Sequence, residues 1–267
     1  MTRILRERVG GWKGRLLPGF LLRRLERLIC QTELNGMLRY AYPARGSAFC
    51  HRILEHLDIK LRVDDAVLND IADDCPVVFA SNHPLGGLDG IALVAVLGDR
   101  YGDEKVAVLV NDMLMNVEPL RDVFLPVNKY GRQGREGVRE ISRAYESGRQ
   151  IVVFPAGLVS RLQDDGSIRD LEWQKAFVSK ALEYGRPVVP VRFEACNSMR
   201  FYRVARRRKK LGLKVNIEQA LLPQEVVKSR GKEFRITFLP PVDVAGLARD
   251  GMKPAEIAAH IRSMVVG

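Results

Sequence analysis

Ser81-Asn82-His83-Pro84-Leu85-Gly86-Gly87-Leu88-Asp89-Gly90 is the stretch around which the rest of the chain can be arranged. The apolar run Pro76 to Ala80 leads into it and reads as a short buried strand. Ile91 to Leu97 follows it and reads as the start of an apolar helix. A histidine therefore stands just past a strand end and a carboxylate at a helix start. Pro84, Gly86 and Gly87 between them set a tight backbone path that can fold Asp89 back onto His83. A histidine with one ring nitrogen held by a carboxylate keeps the other as a base, and the carboxylate stabilises the imidazolium that forms. No G-x-S-x-G elbow is present, so the proton to be removed belongs to a substrate hydroxyl rather than to a protein nucleophile. The same spacing also fits a packed histidine beside a plain N-capping aspartate.

Outward from this stretch, apolar runs alternate with helical patterns. Strands are predicted at Val77 to Ala80, Lys105 to Val110, Gln150 to Phe154, Val188 to Phe193, Lys214 to Ile217 and Phe234 to Leu239. Helices are predicted at Asp89 to Leu97, Gly134 to Ser147, Leu171 to Tyr184, Leu222 to Ser229 and Pro254 to Val265. That alternation predicts an α/β domain with a central sheet. Upstream, Pro18 to Tyr40 reads as a basic amphipathic helix and Ser47 to Leu57 as a second helix. Arg62 to Asp74 reads as a connector. The chain of 267 residues thus divides into an N-terminal helical segment, 1–62, and an α/β domain, 63–267.

The net charge of +11 is unevenly placed. Arg3, Arg6, Arg8, Lys13, Arg15, Arg23, Arg24 and Arg27 face only Glu7 and Glu26. Arg200, Arg203, Arg206, Arg207, Arg208, Lys209, Lys210 and Lys214 form a second cluster. Such blocks attract polyanions: anionic lipid, nucleic acid or an acidic protein. Aromatic interleaving and a known nucleic-acid reader motif are lacking, which disfavours a nucleic-acid partner. Cys30, Cys50, Cys75 and Cys196 are scattered and read as reduced thiols. His51 and His56 do not share a helix face as metal ligands would, and no metal site is predicted. No segment approaches the roughly 18 apolar residues of a membrane span, and Arg23, Arg24 and Arg27 interrupt the only N-terminal apolar stretch. A lytic pore is disfavoured for want of a span or a long alternating barrel pattern.

Three further stretches carry possible chemistry. Phe124-Leu125-Pro126-Val127-Asn128-Lys129-Tyr130-Gly131-Arg132 reads as a loop with two cations, Lys129 and Arg132, suited to an acidic group. Phe154-Pro155-Ala156-Gly157-Leu158-Val159-Ser160-Arg161 reads as a strand end passing into polar residues, where open α/β sheets place ligands. Val188-Val189-Pro190-Val191-Arg192 reads as a buried strand broken by proline.

In this order and spacing the chain resembles the lysophospholipid acyltransferase superfamily, with its glycerol-3-phosphate acyltransferase-like fold. Asn82-His83 through Asp89 looks like the His/Asp block, Phe124 to Asn128 the second, Phe154-Pro155-Ala156-Gly157 the F-P-E-G block and Val189-Pro190-Val191 the fourth. N-H-P-L-G-G-L-D-G, F-P-A-G-L-V-S-R and K-K-L-G-L-K-V-N-I-E with R-G-K-E-F look like a bacterial branch labelled haemolysin, some of whose members are O-acyltransferases completing glycine or ornithine lipids. The resemblance implies a central mixed sheet flanked by helices, and transfer of a fatty acyl chain from acyl carrier protein or coenzyme A to the hydroxyl of a one-chain lipid. His83 and Asp89 would be catalytic. Asn82, Gly86, Gly87, Asn128, Lys129, Arg132, Phe154, Pro155, Gly157, Ser160 and Arg161 would bind acceptor or donor. Backbone N–H groups at the start of the Asp89 helix, or at Gly157, would hold the oxyanion. The thioester is a co-substrate, and no resident cofactor is implied. Such an enzyme would sit peripherally on the anionic cytoplasmic face of the inner membrane. The sequence departs from the family where five residues, rather than four, separate His83 from Asp89, and where Ala156 and Val159 replace Glu and Arg of F-P-E-G-T-R-S. Those replacements weigh against a glycerol-phosphate headgroup, so the expected acceptor is a lyso-aminolipid of glycine or ornithine type, with lysophosphatidic acid as the other candidate and Arg161, Lys129 or Arg132 as the substitute cation.

Overall fold

The computed structural model describes residues 27–127, 135–213 and 215–266. Their order is α1 Gln31–Ala41, α2 Gly46–His56, β1 Lys60–Asp64, α3 Ala66–Asp70, β2 Val78–Ser81, α4 Gly87–Tyr101, β3 Val106–Asn111, β4 Phe124–Val127, α5 Arg135–Glu146, β5 Gln150–Val153, β6 Arg161–Leu162, β7 Ile168–Arg169, α6 Ala176–Glu183, β8 Val188–Glu194, α7 Met199–Lys210, α8 Leu222–Lys228, β9 Glu233–Phe238, α9 Val244–Arg249 and α10 Pro254–Val266. Seven strands form one sheet in the order β1-β9-β8-β2-β5-β3-β4, and β6 pairs with β7 in a small hairpin. Every neighbouring pair in the large sheet is parallel except β8 with β9, so the sheet is mixed as expected.

The central strand β2 shows how the layers arise. Successive side chains of a strand point to opposite faces. Phe79 accordingly packs with Leu93 and Leu97 of α4 and with Phe49 and Ile53 of α2. Its neighbours Val78 and Ala80 pack on the other face with Phe177 and Val178 of α6 and with Ile257 and Ile261 of α10. Helices thus cover both faces, the arrangement that parallel strands require. Each fully buried Leu of α4 contributes about 1.5–3 kcal/mol to holding that helix, and hence its first turn, in place.

Several expectations need correction. Arg62 to Asp74 is not a bare connector: β1 runs through it and pairs with β9, and α3 follows. The boundary placed between 62 and 63 falls inside β1, and α1 and α2 share one core with the sheet. Phe124 to Val127 is an edge strand rather than a loop; Pro126 is tolerated there because an edge strand has one side without a ladder. β8 is not broken at Pro190. The Pro190 carbonyl accepts from the Leu239 N–H, on the β9 side just past the end of β9 at Phe238. The missing N–H therefore costs no bond in the ladder to β2. Of the strand expected at Lys214 to Ile217, Lys214 lies outside the described residues and Val215 to Ile217 form no strand; Ile217–Leu221 is a short 3₁₀ turn. The helix expected at Leu171 begins only at Ala176, because the preceding segment is drawn to the site: Trp173 Nε1 donates to Asp170, and Gln174 N–H to the Pro155 carbonyl. Among the described residues, no helix is long and apolar enough to cross a membrane.

Candidate active site

Parallel strands β2, β5 and β8 end side by side, and the segments leaving them meet beyond their carboxyl ends, where α/β sheets bind ligands. Leaving β2, the chain passes Asn82, whose amide donates to the Phe193 carbonyl at 2.9 Å and accepts from the Phe193 N–H at 2.7 Å. This two-bond clamp to β8 fixes where His83 starts. Gly86 then takes φ +96, a conformation that side chains resist, and a Cβ there would also meet Leu222 and Val159 at 3.3 Å. The turn brings Asp89, in the first turn of α4, back over the loop. Asp89 Oδ2 lies 3.0 Å from His83 Nδ1 and also accepts the N–H groups of Leu85 at 3.0 Å and Gly86 at 3.2 Å. Its Oδ1 accepts from Gly90 N–H at 3.0 Å. Asp89 is not the N-cap, which is Gly86; from the third position of α4 its fully buried carboxylate accepts the N-cap N–H and also partners the histidine. His83 is partly exposed, and its ring lies 4.4 Å from that of Phe154, the residue that leaves β5.

Behind this pair stands a second carboxylate that sequence reasoning missed. Asp170 accepts the backbone N–H of His83 at 3.1 Å, the hydroxyl of Ser160 at 2.5 Å and the indole N–H of Trp173 at 3.1 Å. The Ser160 N–H in turn donates to the His83 carbonyl at 2.8 Å. The histidine backbone is thus gripped from both sides. Burial pushes the Asp170 carboxyl above its ordinary value, with the three donors pulling it back in part. The hairpin β6–β7 returns the chain to the site and places Asp170 there. The only sequence signal was a lone acid just after a turn, Asp164-Asp165-Gly166-Ser167.

An acyltransferase family model matches residues 3–262 of this sequence. A lyso-glycine lipid O-acyltransferase of Bacteroides thetaiotaomicron is 39% identical over 93% of this chain and 90% of its own length. Another lyso-glycine lipid O-acyltransferase, of Phocaeicola vulgatus, is 40% identical over 99% and 93%. The chain belongs to the acyltransferase family. It is a lysolipid O-acyltransferase of the lysophospholipid acyltransferase type, as its four blocks imply. The crystal structure of the 1-acyl-sn-glycerophosphate acyltransferase PlsC from Thermotoga maritima aligns with TM-score 0.52 over 90% of this chain and 91% of that one. At 17% identity that likeness speaks for the fold.

In this acyltransferase, not every residue expected at the site faces it. Asn82 is spent on the β8 backbone. Arg161, expected to grip an acidic headgroup, is buried; it donates to Glu218 at 2.8 Å, and Phe201 lies against its guanidinium. Glu218 is fully buried and also meets Arg208 Nε at 2.9 Å. Burial pulls the Arg161 guanidinium below its ordinary range, and Glu218 offsets part of that. Gly157 donates its N–H to the Phe154 carbonyl at 2.9 Å, closing the F-P-A-G turn, so that group is already used as an oxyanion donor would not be. Pro155 and Ala156 are buried, whereas Gly87 is exposed at the head of α4. Asn128, Lys129 and Arg132 lie outside the described residues. Among the described residues, no group of three His, Cys, Asp or Glu side chains is placed to hold a metal ion.

Two outcomes follow from these secondary contacts. Asp170→Asn places an amide donor among three donors, each costing about 1–3 kcal/mol if left unpaired in the interior. A lower thermal midpoint together with a kcat reduced less than in a His83 variant is expected; unchanged stability would separate Asp170 from the scaffold of the loop. Arg161→Met leaves Glu218 with one cation, and breaking a buried pair costs roughly 3–5 kcal/mol. Urea unfolding should show a loss approaching that figure. Wild-type stability with a raised KM for the acceptor would instead return Arg161 to the substrate site.

Proposed function

We propose that this enzyme moves a fatty acyl chain from an acyl thioester, carried by acyl carrier protein or coenzyme A, to the hydroxyl of a lyso-glycine lipid. The observation that carries the reaction is the His83 Nδ1 to Asp89 Oδ2 contact at 3.0 Å, with that carboxylate also held by the backbone N–H groups of Leu85 and Gly86 in the loop and of Gly90 in α4. Asp89 holds the proton on Nδ1, which leaves Nε2 as the basic nitrogen. Nε2 takes the acceptor's hydroxyl proton as its oxygen attacks the thioester carbonyl. The tetrahedral intermediate collapses by breaking the C–S bond, and the imidazolium returns the proton to the leaving sulfur. The positive end of α4, opening at exposed Gly87, supports the oxyanion. No acyl-enzyme is formed, in keeping with the absence of a nucleophile elbow. The glycine-type acceptor is supported by the two relatives so described, and by Ala156 and Val159 standing where the family's headgroup-binding Glu and Arg would be. The basic N-terminal segment, residues 1–28, and the cationic second cluster suit peripheral association with the anionic cytoplasmic membrane surface, where the acceptor resides.

The test is direct. Purified enzyme is incubated with an acyl thioester and, separately, lyso-glycine lipid, lyso-ornithine lipid and lysophosphatidic acid, and the lipids are weighed by mass spectrometry. A two-chain glycine lipid is expected. A product from lysophosphatidic acid alone overturns the acceptor, and no product with any of the three overturns the reaction.

A further inference from the structure

The helix α7 and the turn after it present an exposed surface of two kinds. Arg200, Arg203, Arg207 and Lys210 recur at three- and four-residue spacing along one exposed face. The opposite face, Phe201, Tyr202 and Ala205, is buried. The helix closes at Gly212, φ +67, with the Gly212 N–H on the Lys209 carbonyl and the Leu213 N–H on the Arg208 carbonyl. This left-handed closure turns the chain sharply outward. Beyond it, Leu211 and Val215 are each 73% exposed, and Leu213 and Ile217 each 48%. Aliphatic side chains grouped on a water-facing tip mark a contact surface rather than a random surface. The tip is firmly mounted. Glu218, directly after it, is locked between Arg161 and Arg208, and Val159, Phe201, Tyr202 and Leu221 form a small core beneath it. Val159 and Leu222 also pack toward Gly86 in the histidine loop, so tip and active site share one foundation.

We infer that Leu211, Leu213, Val215 and Ile217 insert into an anionic bilayer while the cationic face of α7 lies on its headgroups, docking the active site over its lipid acceptor. Charge complementarity selects the occupant: after Met199 the exposed side chains of this helix, Arg203, Arg207, Lys209 and Lys210 with Arg200, are cationic, and aliphatic residues at its end match acyl chains. This inference rests on the acyl-transfer reading and gives the cationic second cluster an aliphatic tip that enters the bilayer.

The experiment measures binding apart from turnover. Leu213→Glu/Val215→Glu in the full chain is partitioned onto vesicles of phosphatidylglycerol and phosphatidylethanolamine, and onto phosphatidylcholine vesicles. Leu213→Trp reports local polarity by its emission. Partition onto the anionic vesicles should fall roughly tenfold or more in the double variant, and the tryptophan should shift to the blue only with anionic vesicles. Both altered side chains are exposed, so the circular dichroism spectrum should match the parent. Partition within twofold of the parent, or tryptophan emission unchanged by vesicles, overturns the inference. Loss of acyl carrier protein binding with vesicle partition intact overturns it in favour of a protein partner. Transfer between a thioester and a detergent-dispersed acceptor, assayed in the same preparations, tests the acyl-transfer reading separately and should survive the double variant.

Discussion

His83→Ala is expected to lower kcat for acyl transfer by roughly 10²- to 10⁴-fold, the usual share of a positioned general base. Released thiol, followed with a thiol-reactive dye, measures it. The expectation follows from the position of the ring: it is the partly exposed member of the pair, at the mouth of the loop, with a buried carboxylate behind it. Removing it leaves the Asp89 bonds to Leu85, Gly86 and Gly90 in place, so the loop and the thermal midpoint should change little. Near-parental turnover would take His83 out of the mechanism. Loss of activity accompanied by unfolding would make its role structural.

Asp89→Asn is expected to lose both rate and stability. The carboxylate accepts from four directions, and an amide can accept on one atom only. With its oxygen toward His83, Leu85 and Gly86, the amide nitrogen faces the Gly90 N–H; flipped, it faces the other three donors. Either orientation sets donor against donor in the interior, at about 1–3 kcal/mol for each unpaired group. That corresponds to roughly 3–10 °C of thermal midpoint in a domain of this size. The rate should fall toward that of His83→Ala, because either orientation removes the charge that stabilises the imidazolium and the flipped one also imposes the wrong tautomer. Combining the two substitutions should cost barely more rate than either alone, since the residues act as a unit. Additive losses, or an Asp89→Asn enzyme of parental rate, would mean that the 3.0 Å contact has no part in proton transfer.

The contrast between the two variants shows how much of the site was legible. His83 and Asp89 were readable because their meeting is local: a strand end, one Pro, two Gly and a helix start leave the intervening backbone few paths. The strands β2, β3, β5 and β8 were readable for a related reason, since buried strands appear as continuous apolar runs, and β9 shows instead the alternation of a strand with one buried face, with Phe234, Ile236 and Phe238 inside. The edge strands β1 and β4 were not. β1 alternates exposed and half-buried residues, and β4 carries Pro126, so neither has the apolar signature of the centre. Arg161 was misplaced for a different reason. A cation after a strand end suggests a ligand, and nothing nearby in sequence reveals that a carboxylate 57 residues on lies beside it. Asp170, 87 residues after His83, was invisible for the same reason.

By itself the sequence determined the family, the α/β class and the meeting of His83 with Asp89, because each depends on residue type and on spacing within one short turn or one strand. Tertiary structure alone decided which polar groups stand behind the pair and which cations are withdrawn from the site. Asn82 with Phe193, Asp170 with the His83 backbone and Arg161 with Glu218 join segments far apart in the chain, and strand order and layer packing choose those partners. A buried polar group must be paired, but the rule does not say with which distant residue, and that choice is made only when the chain closes into its layers.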